Sequence, residues 1–197
     1  MAFAELLAHP AVHEELVLGT RFGFLALHGG LEPGTAEIAR DAARRSGASA
    51  YVVVQPGHLK RHVPSVHVDR ASSTRLAAFL DHVEVVVSIH GYWGHGPRPS
   101  VLVGGAGRTL AASLATGLRE ALPDYAIVDD VQAIPPKLRG LDPRNPVNAV
   151  AGGGVQLELP HPVRAVGPYG RGDRGDVYRA HTAALVGALA AFASDLR

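Results

Sequence analysis

Short apolar runs alternate along this chain with segments of helical periodicity, and this alternation limits the fold more than any other feature of the sequence. Buried strands are predicted at RFGFLAL, ASAYVVV, VEVVVSI, SVLVG, DYAIV and GVQLELP. Helices are predicted at GTAEIARDAARRSG, at STRLAAFLDHV, after GGAG and over the C-terminal DRGDVYRAHTAALVGALAAFASDLR. Strands that alternate with helices are typical of an α/β fold with a largely parallel central sheet.

The ends of these helices carry recognisable signals. Thr35 is a plausible N-cap of the first helix, and Gly47 follows its last residue. Ser72 or Ser73 is predicted to cap the next helix. On the C-terminal helix a stripe of apolar residues is expected to pack in the core: Val177, Leu185, Leu189 and Phe192.

The composition narrows the classes of function. The chain has 197 residues with no internal repeat and no linker, so one domain covering residues 1–197 is expected. The net charge is only +1 and the basic residues are scattered, which argues against a nucleic-acid or membrane-surface partner. Cysteine is absent, so any metal must be held by nitrogen and oxygen. The N-terminus lacks the features of a signal peptide, and a cytoplasmic location is predicted.

Two predicted strands end in histidine. His28 is the first polar residue after the run Phe22–Leu27, and His90 follows VEVVVSI in the same way. Ligands of open α/β sheets bind beyond the carboxyl ends of the strands, so both histidines are expected at one edge. Glu158 lies within the apolar run VQLEL, where a carboxylate needs a partner.

Two histidines and one carboxylate are the usual protein ligands of a catalytic zinc ion, with a further position left for water. His28, Glu32 and His90 could supply this set, and Glu158 could act as general base. The alternative is structural: a glycine turn with a solvated Glu32 and two ordinary strand-end histidines.

Three segments carry a family resemblance. HGGLEPGTAEIA, VVVSIHGYWG and NPVNAVAGGGVQLELP resemble the poly-γ-glutamate hydrolase family, zinc-dependent amidohydrolases first associated with bacteriophages. The family is related in fold to the zinc carboxypeptidases, which implies a single three-layer domain around a mixed, largely parallel sheet. The resemblance implies one Zn²⁺ per chain, held by His28, Glu32 and His90, with Glu158 as general base. Glu37 in GTAEIA is the alternative ligand if the alignment slips.

The resemblance also implies a reaction and a substrate. Zinc would lower the pKa of its bound water to roughly 7, and Glu158 would take the proton as the water attacks an amide carbonyl. A γ-glutamyl substrate carries carboxylates, which arginine suits. The loop 131–154 is therefore the predicted substrate clamp, and Arg108 is a minor candidate for stabilising the oxyanion. The loop residues considered are Arg139, Arg144, Asn145 and Asn148, with Arg139, Asn145 and Asn148 preferred.

Other interpretations stay open at this point. The loop could be solvated, with its asparagines capping turns. His62 and His67 are predicted to be surface residues, with contacts to the metal ligands or to the substrate as the alternative. A zinc peptidase or deacylase for another small carboxylate-bearing amide keeps the metal and changes the substrate. A chain without metal could bind an anionic polymer. A nucleotide-dependent enzyme using GGAG, residues 104–107, is disfavoured because the complete phosphate motif is absent.

Overall fold

A seven-stranded sheet with the strand order β1-β3-β2-β4-β7-β5-β6 forms the centre of the protein. The computed structural model describes residues 2–94, 98–151, 153–164 and 175–196. The strands are β1 (His13–Val17), β2 (Thr20–Gly29), β3 (Ala48–Val54), β4 (Val85–Gly91), β5 (Ser100–Gly104), β6 (Ala126–Val128) and β7 (Val155–Leu159).

The sheet is mixed but largely parallel, as the alternation of strands and helices predicts. β2 pairs in parallel with β3 and with β4, β4 with β7, and β5 with β6. The antiparallel pairs join β1 to β3 and β5 to β7. The three strands β2, β4 and β7 are therefore parallel neighbours at the centre, and their carboxyl ends meet at one edge.

Helices cover both faces of the sheet and complete three layers. On one face, here called the α2 face, the core includes residues of α2 (Thr35–Ser46), α4 (Arg108–Ala121) and α5 (Gly175–Asp195). The opposite face, here called the α1 face, packs against α1 (Phe3–Leu7) and α3 (Thr74–His82). Among the described residues, no helix combines the length and apolarity that crossing a bilayer requires.

Short 3-10 turns occupy parts of the segments that the sequence presented as irregular. They lie at Ser65–His67, Arg70–Ser72, Pro136–Leu138, Pro146–Asn148 and His161–Arg164. The N-terminal elements α1 and β1 were not predicted, because a five-residue helix and a half-exposed edge strand leave little periodicity in the sequence.

Some helix ends follow the prediction and others do not. Ser73 caps α3 by accepting a hydrogen bond from the Leu76 amide, and Gly47 ends α2 with a positive φ. The N-cap of α2 is Gly34 rather than Thr35, since the chain enters this helix at a φ of 89° that favours glycine.

The predicted core stripe of α5 also needs one correction. Leu185 and Leu189 are buried, and Phe192 packs against the same core. Val177 is 50% exposed, because it stands in the first turn of α5, ahead of the buried part of that helix.

Candidate metal centre

Three predicted ligands converge at the carboxyl edge of the sheet. His28 is near the end of β2, His90 is near the end of the neighbouring β4, and Glu32 lies in the loop after β2. The Nδ1 atom of His28 lies 2.9 Å from Glu32 Oε1 and 3.2 Å from His90 Nδ1. His90 Nδ1 lies 3.5 Å from Glu32 Oε2. One donor atom from each residue is therefore within 4.8 Å of the other two.

A register shift in β2 turns His28 toward this cluster. Ala26 of β2 pairs with Val52 of β3 and Gly29 pairs with Val54, so two residues of β2 lie opposite a single residue of β3. Ala26 packs on the α2 face, and strict alternation would send His28 to that face too. An extra residue in one strand re-aims the side chains around it. The irregularity thus lets His28 join His90 on the α1 face.

The far nitrogen of each imidazole is occupied. His28 Nε2 lies 2.9 Å from the carbonyl oxygen of Val63, which can only accept a hydrogen bond, so Nε2 carries a proton. His90 Nε2 lies 2.9 Å from the hydroxyl of Ser88, a buried residue of the same strand. Such partners fix the ring orientation and direct Nδ1 of both histidines at Glu32.

The loop that carries Glu32 is held from two sides. Glu32 Oε2 accepts a hydrogen bond of 2.8 Å from the Gly91 amide at the end of β4. Arg164 is only 3% exposed. Its Nη1 donates a hydrogen bond of 2.6 Å to the Pro33 carbonyl, and its Nε donates one of 3.0 Å to the Leu159 carbonyl. Its guanidinium packs so closely on Gly91 that a Cβ there would lie 2.5 Å from Arg164 Cζ.

Sequence reasoning missed Arg164. It follows β7 by a few residues in LPHPVR, and no spacing rule connects an arginine there with a loop more than a hundred residues earlier. The one available signal was its position just beyond the strand that carries Glu158.

The electrostatics of the cluster favour a positive charge between the three side chains. Burial disfavours the ionised form of Glu32, but the charges and hydrogen bonds of His28 and His90 outweigh it and hold its carboxyl pKa well below the usual range. Burial likewise opposes the charged form of His28, yet the Glu32 carboxylate keeps the pKa of His28 above its ordinary value. A metal ion bound at this position would compete with protons for the same donor atoms.

The donor atoms fit a zinc ion. Zn–N distances of 2.0–2.1 Å and tetrahedral angles separate neighbouring ligand atoms by about 3.3 Å. The two Nδ1 atoms are 3.2 Å apart, and the distances to the carboxylate, 2.9 Å to Oε1 and 3.5 Å to Oε2, lie around this value. Two imidazoles and one carboxylate also match the nitrogen and oxygen ligands that zinc accepts.

Glu158 lies beside this cluster on β7. It pairs in register with His90 of β4, so the two side chains share the α1 face. Glu158 Oε1 accepts a hydrogen bond of 2.9 Å from Gln156 Nε2, and Gln156 Oε1 accepts one of 2.8 Å from Asn145 Nδ2. Burial, and then the charge of Glu32, raise the pKa of the Glu158 carboxyl well above its usual range.

A cleft of about 520 Å³ opens above these side chains. His62 stands at its mouth, with its ring centroid 4.8 Å from that of His28. His62 and His67 are both exposed, as predicted, and His62 also lines the cleft, which is in line with the alternative of a contact near the site. The remaining walls come mainly from residues 64–66, residues 136–138 and residues 140–142.

The predicted substrate clamp is only partly at the cleft. Asn145 lines it and is tied to Gln156. Asn148 instead donates to the Gly140 and Asp142 carbonyls. Arg139, Arg108 and Arg144 do not line the cleft. Their side chains donate hydrogen bonds to other groups: Arg139 to the Ile134 and Gln132 carbonyls, Arg108 to the Val103, Gly105 and Asp129 carbonyls, and Arg144 to the Asp142 carboxylate.

These hydrogen bonds and the ion pair of Arg144 with Asp142 do not support substrate contacts by Arg139, Arg144, Asn148 and Arg108, whose roles stay predictions. The loop 131–154 does form a wall of the cleft, but mostly through other residues.

Two further alternatives lose support. Glu37 lies on α2 with its side chain 65% exposed, and its carboxylate is 3.8 Å from Arg40, away from the cluster. In the GGAG turn, the Gly105 and Gly107 amides donate to the Arg139 and Gly154 carbonyls. The Ala106 amide donates to Asn148 Oδ1, so these amides are not free to cradle a phosphate.

Comparison with known proteins identifies the family and the fold. The model of a family described as poly-gamma-glutamate hydrolase matches residues 2–166. The structure of a bacteriophage poly-gamma-glutamate hydrolase is similar, with 25% identity, a TM-score of 0.70, and coverage of 95% of this chain and 91% of that one. A zinc-free form of YNDL has 25% identity, a TM-score of 0.72, and coverage of 94% and 93%.

A more distant likeness concerns the fold alone. A metallo-carboxypeptidase from Burkholderia cenocepacia is 12% identical with a TM-score of 0.55, and the match covers 99% of this chain and 68% of that one. No curated protein matched the sequence.

Proposed function

The chain belongs to the poly-gamma-glutamate hydrolase family, and we propose that it is a single zinc-dependent hydrolase domain that cleaves γ-glutamyl amide bonds. Family membership makes it a hydrolase acting on amide bonds. The observation that carries the finer proposal is the convergence of two imidazole Nδ1 atoms and a carboxylate beside a buried second carboxylate, Glu158. A cytoplasmic location stays a prediction from the sequence.

His28, Glu32 and His90 would hold the metal. When bound, zinc supplies Lewis-acid chemistry that makes water a nucleophile near neutral pH and polarises the amide carbonyl. The Val63 carbonyl and the Ser88 hydroxyl keep each imidazole in the orientation that presents Nδ1.

Glu158 is proposed as the general base. It shares its face of the sheet with His90, and Gln156 and Asn145 hold its carboxyl group in a chain of hydrogen bonds. Its carboxylate takes the proton of the attacking water and returns it to the leaving amine, which balances the proton within one turnover.

The first experiment measures zinc by elemental analysis after dialysis against metal-free buffer. About one zinc per chain is expected in the wild type, and His28→Ala and His90→Ala are each expected to lose it. Glu158→Gln should keep the metal, fold normally and lose hydrolysis by roughly 10²- to 10⁴-fold, the usual contribution of a general base.

Two outcomes would redirect the interpretation. A wild type that cannot be loaded with zinc would favour a non-catalytic binding module for anionic polymer. Preference for α-peptides or N-acyl amino acids over γ-glutamyl oligomers, assayed side by side, would favour the peptidase or deacylase alternative.

A further inference from the structure

We propose that Lys137 binds a substrate carboxylate in the cleft and gives the enzyme its preference for anionic amides, an inference that rests on the proposed function. Lys137 is in the 3-10 turn Pro136–Leu138, which forms part of the cleft wall. The sequence predicted that a cation of this loop binds the substrate carboxylate. Lys137 lines the cleft and Arg139 does not, so the structure assigns this contact to Lys137.

The charges around the cleft make Lys137 distinctive. The cleft contains the side chains of Glu32, Glu158 and Asp142 among its lining residues. Apart from histidines, Lys137 is the single basic side chain among the described residues that line it. An anionic substrate entering the cleft meets its fixed positive charge at this residue.

The ammonium group of Lys137 is available. In the described part of the chain it has no hydrogen-bond acceptor and no ion-pair partner. Asp142, the nearby acidic residue of the same loop, is already paired with Arg144, whose Nη2 lies 2.8 Å from Asp142 Oδ2. An exposed lysine with no partner is common, but a lysine that lines a cleft of this kind is suited to bind an anionic ligand.

The turn that presents Lys137 is fixed by its neighbours. Arg139 Nε donates 2.8 Å to the Ile134 carbonyl, and the Arg139 carbonyl accepts 2.8 Å from the Gly105 amide. The Leu138 amide donates 2.8 Å to the Pro135 carbonyl. Arg139 is thus a structural residue that ties the base of the turn to the strand end, and Lys137 projects from a turn of defined position.

The chemistry of the substrate matches a lysine. Each unit of a γ-glutamyl chain carries one free α-carboxylate beside the amide bond. Lysine offers a compact charge on a flexible stem, which accepts a carboxylate over a range of positions. A hydrogen bond to a charged group is worth enough to change binding roughly tenfold after partial screening by solvent.

The test compares KM and kcat for two substrates of the zinc-loaded protein. One is a γ-glutamyl oligomer with free α-carboxylates, and the other is the same oligomer with these groups converted to neutral amides. The variants are Lys137→Ala, Lys137→Arg and, as a matched control, Lys60→Ala, which removes the other lysine of the chain outside the cleft lining.

For the free oligomer, Lys137→Ala is expected to raise KM roughly tenfold with little change in kcat. Lys137→Arg should recover most of the wild-type KM, and Lys60→Ala should match the wild type. The difference between wild type and Lys137→Ala should shrink as salt is raised, because the interaction is between partly exposed charges. For the neutral oligomer, the KM values of wild type and Lys137→Ala should agree.

Two outcomes would overturn the inference in distinguishable ways. If the wild type hydrolyses the free oligomer and Lys137→Ala leaves its KM unchanged, or alters both substrates equally, Lys137 is not the carboxylate contact and the proposed function stands. If the loaded wild type hydrolyses neither substrate, the proposed function fails and the inference fails with it.

Discussion

The hydrogen bond between His90 and Ser88 gives a quantitative test of how the metal centre is built. Ser88→Ala removes the hydroxyl that lies 2.9 Å from His90 Nε2 and leaves the rest of β4 in place. Ser88 is 0% exposed, so water does not reach the site to replace it. With the metal bound through Nδ1, the His90 Nε2–H would remain buried and unpaired, whereas the free ring can reorient.

The loss therefore falls mainly on the metal-bound state. Replacing such an outer partner of a metal ligand usually weakens metal affinity by roughly 10- to 100-fold. That range corresponds to about 1.4–2.8 kcal/mol at 25 °C, similar to the cost of leaving one buried donor unsatisfied. We expect the upper part of this range, because the Ser88 side of the His90 ring is buried.

The assay is competition for zinc against a chromogenic chelator, with thermal unfolding of the metal-free proteins measured in parallel. Ser49→Ala is the matched control: Ser49 is also 0% exposed and donates 2.7 Å to the Thr20 carbonyl, at the far end of the neighbouring strands. Ser49→Ala should lower stability and leave zinc affinity unchanged. Equal zinc affinities in Ser88→Ala and wild type would refute the assignment of Nδ1 as the metal-binding atom of His90.

Three further predictions use other parts of the molecule. The acid limb of the pH profile of kcat/KM should lie above the ordinary glutamate pKa of about 4.3. Glu158 must be ionised to act as a base, and burial raises its pKa, so activity should fall as pH drops through that raised value. An acid limb at or below about 4.3 would contradict this role. Glu37→Gln should leave zinc content and activity unchanged, since Glu37 is exposed on α2, and loss of zinc would reinstate it as a ligand. Gly117→Ala should raise the free energy of unfolding by about 1 kcal/mol, because Gly117 is inside α4 with open space around it. Gly23→Ala should lower the free energy of unfolding by about 1–3 kcal/mol, because the added Cβ would clash with Phe79. Denaturant titrations measure both changes, and a destabilised Gly117→Ala would contradict the first.

The sheet and the rough position of the site could be predicted from the sequence. Apolar runs that end in His28 and His90 mark buried strands, and parallel strands bring their carboxyl ends to one edge. Glu158 stood out because a carboxylate inside an apolar strand requires a partner. The structure does place His28, Glu32 and His90 together with Glu158 in one cleft, while their roles as ligands and base stay predictions.

The walls of the site could not be predicted in the same way. The direction of each side chain in the loop 131–154 depends on the backbone partner that it finds, such as the Ile134 carbonyl that accepts from Arg139 and the distant Ala106 amide that donates to Asn148. Lys137 lines the cleft, whereas the neighbouring Arg139 holds the turn.

The sequence by itself determined the order of the strands and helices from β2 to α5 and the residues at the ends of the central strands, because burial leaves apolar runs and helical periods in neighbouring positions. Only the tertiary structure decided that a register shift turns His28 to the α1 face, that Arg164 closes on Gly91, and which lysine or arginine of the described residues lines the cleft. These features arise from hydrogen bonds and packing between segments distant in sequence, where no local period constrains which partner a polar group finds.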